Sequence, residues 1–443
     1  METIKTLRGT RDILPEEAAV WQQLEATARA ILTKAAYGEI RTPIFEQTEL
    51  FARGIGEATD VVGKEMYTFT DRGDRSLTLR PENTAGVVRS LIEHKLMAQG
   101  GVQRLWYTGA MFRYERPQAG RQRQFHQLGA EVFGSPSFRA DGEVIALAVQ
   151  ILQTLGLKNL HLDLNSVGNI SDRQTYRQAL VDYFTPYKDD LDADSQDRLT
   201  RNPLRILDSK DAKTQAIALG APSIVDYLGA DSKKHFEQVQ ELLMDLGIAY
   251  TLNPRLVRGL DYYTHTAFEI ISDDLGAQAT VCGGGRYDNL VGQLGGSDTP
   301  AVGWAMGLER LILLLQQLGQ QSLARPDFYV ISKGELAEKQ AVVLTQKLRE
   351  QGFSLELDLS GSAIAKQFKR ADRSRALACL ILGDAEAANN TAQLKFLKTG
   401  EQRAINQADL LQNSEFLRQE LQQIFSWIAL SILESSKRIN LRN

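Results

Sequence analysis

The sequence predicts an α+β protein: an antiparallel-sheet domain interrupted by a mostly helical insertion, followed by a small α/β domain. Three observations carry this expectation. Short alternating apolar and polar runs with glycine turns fill Ile40 to about Val132, and the pattern resumes at Arg258. Between them, residues 165–253 are polar, charge-rich and helical in pattern. From Phe328 onward, strand-like and helix-like segments alternate. The expected organisation is a first domain at 1–320 with its insertion at about 165–253, a linker at 321–327, and a second domain at 328–443.

The elements follow in order. Val20, Leu24, Ala28 and Ile31 recur at helical spacing, so Ala18 to Ala36 reads as an amphipathic helix, stopped by Tyr37-Gly38. Leu105 to Phe133 has the form strand, loop, strand. On the second strand Phe125, Gln127, Gly129, Glu131 and Phe133 share one side, leaving Leu128, Ala130 and Val132 for the core. Gly142 to Gly156 reads as another helix. Ala301 to Leu315 reads as a strand entering a helix, with Leu308, Leu311, Ile312 and Leu315 directed inward. Gln316 to Asp327 is polar and holds Gly319 and Pro326, which suits a linker. Beyond it, Phe328 to Ile331, Ser354 to Leu357 and Leu377 to Leu382 read as strands separated by helices, the first helix running through Gln340 to Gln351.

Bulk properties exclude several classes. The 443 residues are 43% hydrophobic and 24% charged, ordinary for a soluble globular protein. No apolar run approaches the roughly 18 to 20 residues that span a bilayer. Met1 to Arg11 lacks a secretory core, so a cytoplasmic location is expected. Two cysteines, Cys282 and Cys379, and five scattered histidines argue against a disulfide framework or a structural zinc. The net charge of −4 gives no hint of a polyanionic partner, and the slight basic excess after Pro326 matters only if it forms a local patch.

Several residues point to chemistry. Arg113 ends the incoming strand, and Arg116, Arg121 and Arg123 crowd the loop after it. Arginines alone describe a solvated hairpin; beside Gln127 and Glu131 they also describe a site for an anion next to a polar ligand. Arg258 to Thr264 brings together a cation and paired phenols, and Cys282 to Asp288 a glycine run followed by Arg286-Tyr287-Asp288. The triple glycine lacks the Lys-Ser/Thr of a phosphate loop, so it reads either as a turn or bulge or as room for a ligand enclosed by Tyr263 and Tyr287. Lys366, Lys369, Arg370 and Arg373 share one helix face. That stripe is a solvated face or a nucleic-acid surface.

These runs resemble the histidyl-tRNA synthetase family. Arg258-Gly259-Leu260-Asp261-Tyr262-Tyr263-Thr264 and Cys282-Gly283-Gly284-Gly285-Arg286-Tyr287-Asp288 resemble its two histidine-specific motifs. Phe112 to Pro117 is similar to motif 2 of class II aminoacyl-tRNA synthetases, Gly307 to Leu311 to motif 3, and Arg41 to Phe51 to the dimer-forming motif 1. Leu79 to Gly86 resembles the amino-acid binding turn, although Asn83 stands where glycine is common. The resemblance covers Arg8 to roughly Gln407. The tail from about Phe425, with Trp427, extends beyond the family's usual end.

The resemblance implies an antiparallel class II catalytic core and a C-terminal anticodon-binding domain. It further implies that histidine and ATP form histidyl-adenylate and pyrophosphate, and that the histidyl group passes to the terminal adenosine of tRNA-His. Arg113 and Arg258 are then the catalytic pair on the α-phosphate, with Arg310 and Arg121 also binding ATP. Glu82, Thr84 and Gln127 serve the amino-acid end of histidine, with Glu82 and Gln127 on its ammonium. Glu131 and Tyr263 engage the imidazole nitrogens, Tyr287 closes the pocket, and Arg258 borders it. Arg116 and Gln118 lie in a loop that reaches the tRNA acceptor end; Lys366, Lys369, Arg370 and Arg373 belong to the anticodon domain. Magnesium is expected with ATP, no metal held by the protein itself, no separate editing domain, and a homodimer. His265, at a position that varies in the family, is not counted as a ligand. The alternative is the histidine-binding regulatory paralogue of ATP-phosphoribosyltransferase, which is non-catalytic. The presence of Arg113, Arg258 and Arg310, and of a long segment after the linker, favours the synthetase.

Overall fold

The strands are β1 (Gly38–Glu39), β2 (Phe45–Gln47), β3 (Tyr67–Thr70), β4 (Ser76–Leu79), β5 (Gln103–Phe112), β6 (Gln124–Phe133), β7 (Leu160–Ser166), β8 (Thr251–Leu252), β9 (Thr264–Ser272), β10 (Thr280–Arg286) and β11 (Ala301–Gly307) in the first unit. Those of the second are β12 (Phe328–Lys333), β13 (Leu355–Leu357), β14 (Ala378–Gly383), β15 (Thr391–Phe396) and β16 (Gln402–Asn406). The computed structural model describes residues 3–56, 59–274, 280–319 and 325–423. The chain divides into two compact units, Met1–Ser322 and Leu323–Asn443.

The first unit is built on an eight-stranded sheet in the order β1-β5-β6-β11-β10-β9-β7-β8. Its six central strands are antiparallel; only the two-residue edge strands β1 and β8 pair in parallel. Alternation along β6 separates two cores. Leu128, Ala130 and Val132 pack with Val302, Trp304 and the helices Pro15–Lys34, Phe138–Thr154, Ala230–Asp245 and Leu308–Gln317. Phe133 packs with Tyr107, Tyr263 and Tyr287 on the other face, against the helix Thr84–Glu93 and the helical insertion.

The first helix begins before the expected Ala18, because Pro15 opens its first turn with Glu16 and Glu17 behind it. Ser137 caps the helix Phe138–Thr154 by accepting from the Arg139 amide, so that helix too starts earlier than expected. The region from Ile40 to Val132 is not strands alone. It contains the helices Thr48–Ile55 and Thr84–Glu93 beside a three-stranded antiparallel sheet, β2-β4-β3.

The insertion holds the helices Ile170–Phe184, Ala193–Arg201, Ala212–Ala218 and Ala230–Asp245. It does not stand apart from the sheet domain. Its expected ends, 165–166 and 251–252, lie in β7 and β8. Tyr176, Leu180, Phe184, Leu204 and Ile206 join the core of Tyr263 and Tyr287, while Phe236, Val239 and Leu243 join the opposite one. The sheet therefore needs the insertion to bury both of its faces.

The second unit is a five-stranded sheet in the order β13-β12-β14-β15-β16. β12 pairs in parallel with β13 and β14, as strand–helix–strand alternation requires, and β15 and β16 add an antiparallel edge outside the sequence reading. Phe328 and Val330 pack under the helix Glu335–Glu350; Tyr329 and Ile331 pack with Phe368 and Ala371 of the helix Ile364–Ser374 on the other face. Residues 321–324 of the expected linker and the whole tail 425–443, including Trp427, lie outside the described residues.

One buried ion pair ties the two layers of the first unit together. Arg286, at the end of β10, is 1% exposed and meets Asp141, 0% exposed, on the helix Phe138–Thr154. Its Nε donates to Asp141 Oδ1 at 3.2 Å, and its other nitrogens reach Ser135 O at 2.9 Å, Ser137 O at 3.1 Å and Asp288 Oδ1 at 3.1 Å. Burial works to raise the Asp141 pKa, but the charge of Arg286 and the hydrogen bonds from His235 and Arg286 together outweigh it and bring it down to about 2. Asp141→Ala removes the fully buried partner of the guanidinium, leaving it only the partly exposed Asp288, and should destabilise the fold by roughly 3–5 kcal/mol in denaturant titration. A loss below about 1 kcal/mol would show that Asp288 and the carbonyls satisfy Arg286.

Candidate active site

The second face of the sheet is not filled completely. A cavity of about 390 Å³ opens there, lined by Arg113, Arg121, Arg258 and Arg310, by Glu82, Thr84, Gln127 and Glu131, and by Tyr263 and Tyr287. Residues separated by more than 200 positions thus meet at one place. Arg116 and Gln118 do not line it; they are exposed in the loop between β5 and β6, where Gln118 and Arg121 exchange backbone hydrogen bonds of 3.0 and 2.9 Å.

Glu131 sits at the centre. β6 pairs with β11 so that Glu131 lies opposite Gly303 and Gln127 opposite Gly307. A Cβ on Gly303 would come within 1.8 Å of Glu131 Oε2, so only glycine seats this carboxylate. Thr84 Oγ1 donates to Oε1 at 2.8 Å, and the Tyr287 hydroxyl donates to Oε2. Burial pushes the pKa of Glu131 up to about 8, against the downward pull of the Tyr287 and Thr84 hydroxyls. Glu82 is also buried and raised, and is already engaged: its oxygens accept from the Thr84 and Ala85 amides at 2.7 and 2.9 Å, at the start of the helix Thr84–Glu93.

The glycines act differently from the expectation of open space for a ligand. Gly129 makes room for Tyr107, whose Cζ would lie 2.2 Å from an added Cβ. A Cβ on Gly283 would come within 2.3 Å of the Arg258 guanidinium, one on Gly285 within 2.9 Å of the Tyr263 ring, and one on Gly284 within 2.3, 2.7 and 2.8 Å of Gly303 O, Trp304 and Phe268. Their function is to seat protein side chains that shape the cavity.

Each cation is held by part of its donor set. Arg113 Nε donates to Pro81 O at 2.8 Å, and its guanidinium lies 5.3 Å from the Phe125 ring. Arg121 pairs with Glu115 at 3.0 Å, and Arg310 donates to Thr280 O. Arg258 pairs with Glu269, which also accepts from Thr280 Oγ1 at 2.9 Å. Two buried polar atoms in this cavity, Arg258 Nε and Gln127 Oε1, have no partner, which in a folded interior points to a ligand or water.

Sequence reasoning missed several lining residues. Tyr262 packs 4.7 Å from Tyr263 and 5.5 Å from Tyr287, although it lay inside a quoted motif. Glu269, which pairs with Arg258 from outside the cavity lining, carries no local signal, since a lone carboxylate on a strand is commonplace. Arg205 and Lys210 come from the insertion, which showed no catalytic pattern, yet both line the cavity. In the second unit Lys366, Lys369 and Arg373 are exposed on the helix Ile364–Ser374. Arg370 departs from that stripe: its Nε pairs with Asp358 at 2.8 Å, and it also contacts the Ser360 and Ser362 hydroxyls.

Residues 9–311 match the family model described as histidyl-tRNA synthetase, more than half of the chain, and 327–415 match an anticodon binding domain. The chain belongs to the histidyl-tRNA synthetase family. It is 72% identical over 423 residues to a histidine–tRNA ligase of Picosynechococcus, covering 96% of this chain and 99% of that relative. It is 71% identical over 422 residues to one of Synechococcus elongatus, covering 95% and 97%. Among solved structures, apo histidyl-tRNA synthetase of S. aureus superposes with a TM-score of 0.78 at 42% identity, over 93% of this chain and 99% of that one. A Bacillus halodurans chain described as an ATP phosphoribosyltransferase regulatory subunit/histidyl-tRNA synthetase shares the fold, with a TM-score of 0.64 at 22% identity over 86% and 99%.

The raised pKa of Glu131 has a measurable consequence. An unfolded glutamate titrates near its ordinary value, so the folded chain holds an extra proton between there and about pH 8. The stability this contributes is complete below the unfolded pKa and is lost as pH rises through about 8. Glu131→Gln keeps the shape without the titration, and the Thr84 and Tyr287 hydroxyls can reorient to it. The fall in Tm toward pH 8 should therefore be shallower in the variant than in the wild type; parallel Tm curves would show that Glu131 is already ionised in the folded chain.

Proposed function

We propose that this cavity carries the histidine–tRNA ligase reaction, with residue roles assigned by position. The observation that carries the proposal is the meeting of Arg113, Arg258 and Arg310 with the pocket of Glu131, Tyr263 and Tyr287 in one cavity. In the first step the histidine carboxylate attacks the α-phosphorus of ATP in line and pyrophosphate leaves. In the second, a hydroxyl of the terminal adenosine of tRNA-His attacks the acyl carbon and AMP leaves.

Charge accumulates on the α-phosphate as the first step proceeds. Arg113 and Arg258 hold it from two sides, each worth roughly 2–4 kcal/mol as a preorganised donor. Their preorganisation has a structural source in the Pro81 carbonyl and Glu269. Arg310 and Arg121 bind the rest of ATP. Glu131 and Tyr263 each engage an imidazole nitrogen, Tyr287 closes the pocket, and Thr84 orients Glu131. Glu82 and Gln127 take the ammonium, which gives the unpartnered Gln127 Oε1 a donor. Polar groups matched to both ring nitrogens reject analogues lacking them by about 10⁴-fold, which removes the need for editing.

Magnesium fits as a companion of the nucleotide. Among the described residues no group of three or more His, Cys, Asp or Glu is arranged to hold an ion. Of the carboxylates lining the cavity, Asp60, Glu65 and Glu115 lie together near Arg113 and would share the ion with the phosphates, whose β and γ charge it would neutralise.

Arg116 and Gln118, exposed at the loop tip, are assigned to the tRNA acceptor end, and Lys366, Lys369 and Arg373 to phosphates of the anticodon region; Arg370 supports their helix through Asp358. A homodimer is supported by the exposed Ile44, Phe45 and Phe69 around the β2-β4-β3 sheet, in or near the motif 1-like segment. The regulatory alternative is not favoured, because relatives above 70% identity over nearly the full length carry the ligase name.

Arg258→Ala should lower histidine-dependent ATP–pyrophosphate exchange about 100-fold or more with unchanged circular dichroism, and normal exchange would refute its role. Glu131→Ala should raise the histidine KM more than the ATP KM; the reverse ranking would sink the imidazole assignment. Charge reversal at Lys369 and Arg373 together should weaken tRNA charging about 10-fold while exchange stays at wild-type level. Unaltered charging would make the stripe a solvated face.

A further inference from the structure

The segment 253–263, between β8 and β9, consists of turns and bends without a strand or helix of its own, yet it carries Arg258 and Tyr263. Internally it makes one backbone bond, Leu256 N to Asn253 O at 2.9 Å; from outside, Asn165 Nδ2 of β7 donates to Leu256 O at 3.0 Å and Asp261 N reaches Ile55 O at 3.2 Å. These fix residues 253–256 and the amide of Asp261, but not the backbone immediately after Arg258 or at Tyr263. A loop in this state wanders unless something else holds it.

We infer that the helical insertion is the positioning element for this loop, with Arg173, Asn202 and Arg205 as the residues that hold it. The inference rests on the reading that the cavity activates histidine. Arg205 Nη2 donates to Gly259 O at 3.1 Å, immediately after Arg258. Arg173 Nη1 donates to Tyr263 O at 2.9 Å and to Asp261 O at 3.3 Å. Asn202 Nδ2 donates to Asp261 Oδ1 at 2.9 Å. Alternate residues of the loop, 259, 261 and 263, are thus each taken by a donor from the same inserted segment.

The insertion is rigid enough for this task. Arg173 stands in the first turn of the helix Ile170–Phe184, whose start is locked by reciprocal Asn169 and Asp172 side-chain bonds. Asn202 and Arg205 flank Pro203 and Leu204, both buried, Leu204 in the core that also holds Tyr263. Arg173 is only partly exposed, so its two charge-assisted bonds are poorly replaced by water. The two ends of the loop serve different parts of the reaction: Arg258 meets charge that develops on the phosphate, and Tyr263 meets the ground-state imidazole. Displacements well under an ångström at either end are enough to be felt.

The test is steady-state ATP–pyrophosphate exchange with the full chain, paired with thermal melts. Arg173→Ala should raise the histidine KM about 10-fold with the ATP KM within about twofold. Arg173→Lys, whose ammonium can still donate to both carbonyls, should recover most of that loss. Arg205→Ala should lower kcat about 10-fold with both KM values within about twofold. Wild-type constants in Arg173→Ala and Arg205→Ala overturn the inference. So does a uniform loss in every constant that tracks a lowered Tm, or a rise in ATP KM alone in Arg205→Ala, which makes Arg205 an ATP ligand. A wild-type chain without histidine-dependent exchange overturns the underlying reading and the inference with it.

Discussion

The structure of the site depends on burying one carboxylate, Glu131, in the middle of a sheet face. An isolated buried charge is prohibitively costly, so everything around Glu131 is arranged to make its position tolerable. Gly303 gives it space, Thr84 and Tyr287 give it hydrogen bonds, and its pKa rises to about 8. Those three supports come from β11, from the start of the helix Thr84–Glu93, and from the turn after β10. Their arrival at one point requires the β6-β11-β10 order and register, and the Arg286–Asp141 pair holds the end of β10, next to Tyr287, against the opposite layer. Polar atoms held in a low-dielectric wall also make a pocket discriminating, because a wrong ligand leaves their free hydrogen-bonding capacity unpaired.

The cations follow a related logic. On the proposed reading the cavity takes a triphosphate with several arginines, which repel one another when the nucleotide is absent. Each is therefore anchored by part of its donor set: Arg113 by the Pro81 carbonyl, Arg121 by Glu115, Arg258 by Glu269 and Arg310 by the Thr280 carbonyl. Glu269 and Thr280 join the last two into one hydrogen-bonded chain across the cavity. Under that reading Glu115 and Glu269 hold positive charge in place before a substrate brings its own negative charge.

Much of this was legible in the chain. Alternation along residues 125–133 by itself separates core from site, because strand geometry leaves no freedom about which residues share a face. Arg113 and Tyr263 could be selected from motifs, and Gln127 and Glu131 from the strand face beside the arginines; all four line one cavity. The helices Thr48–Ile55 and Thr84–Glu93 were missed because eight- and ten-residue segments give too few turns for periodicity to stand out from strand-like alternation. Arg370 looked like a member of a basic stripe, but its pairing with Asp358 comes from the strand–helix packing of the second unit and not from helical spacing.

By itself, the sequence determined the fold class, the antiparallel core, the family and the types of side chain the reaction needs. These follow from local periodicity and from motifs in which neighbouring residues act together. Only the tertiary structure decided that the glycine run seats Arg258 and Tyr263, that Gly129 is filled by Tyr107, and that Arg173, Asn202 and Arg205 hold the loop of the site. The physical reason is common to all three. A glycine's use is set by what packs across it, and a donor's role by which carbonyl it meets. Both are properties of three-dimensional neighbours that sequence spacing does not encode.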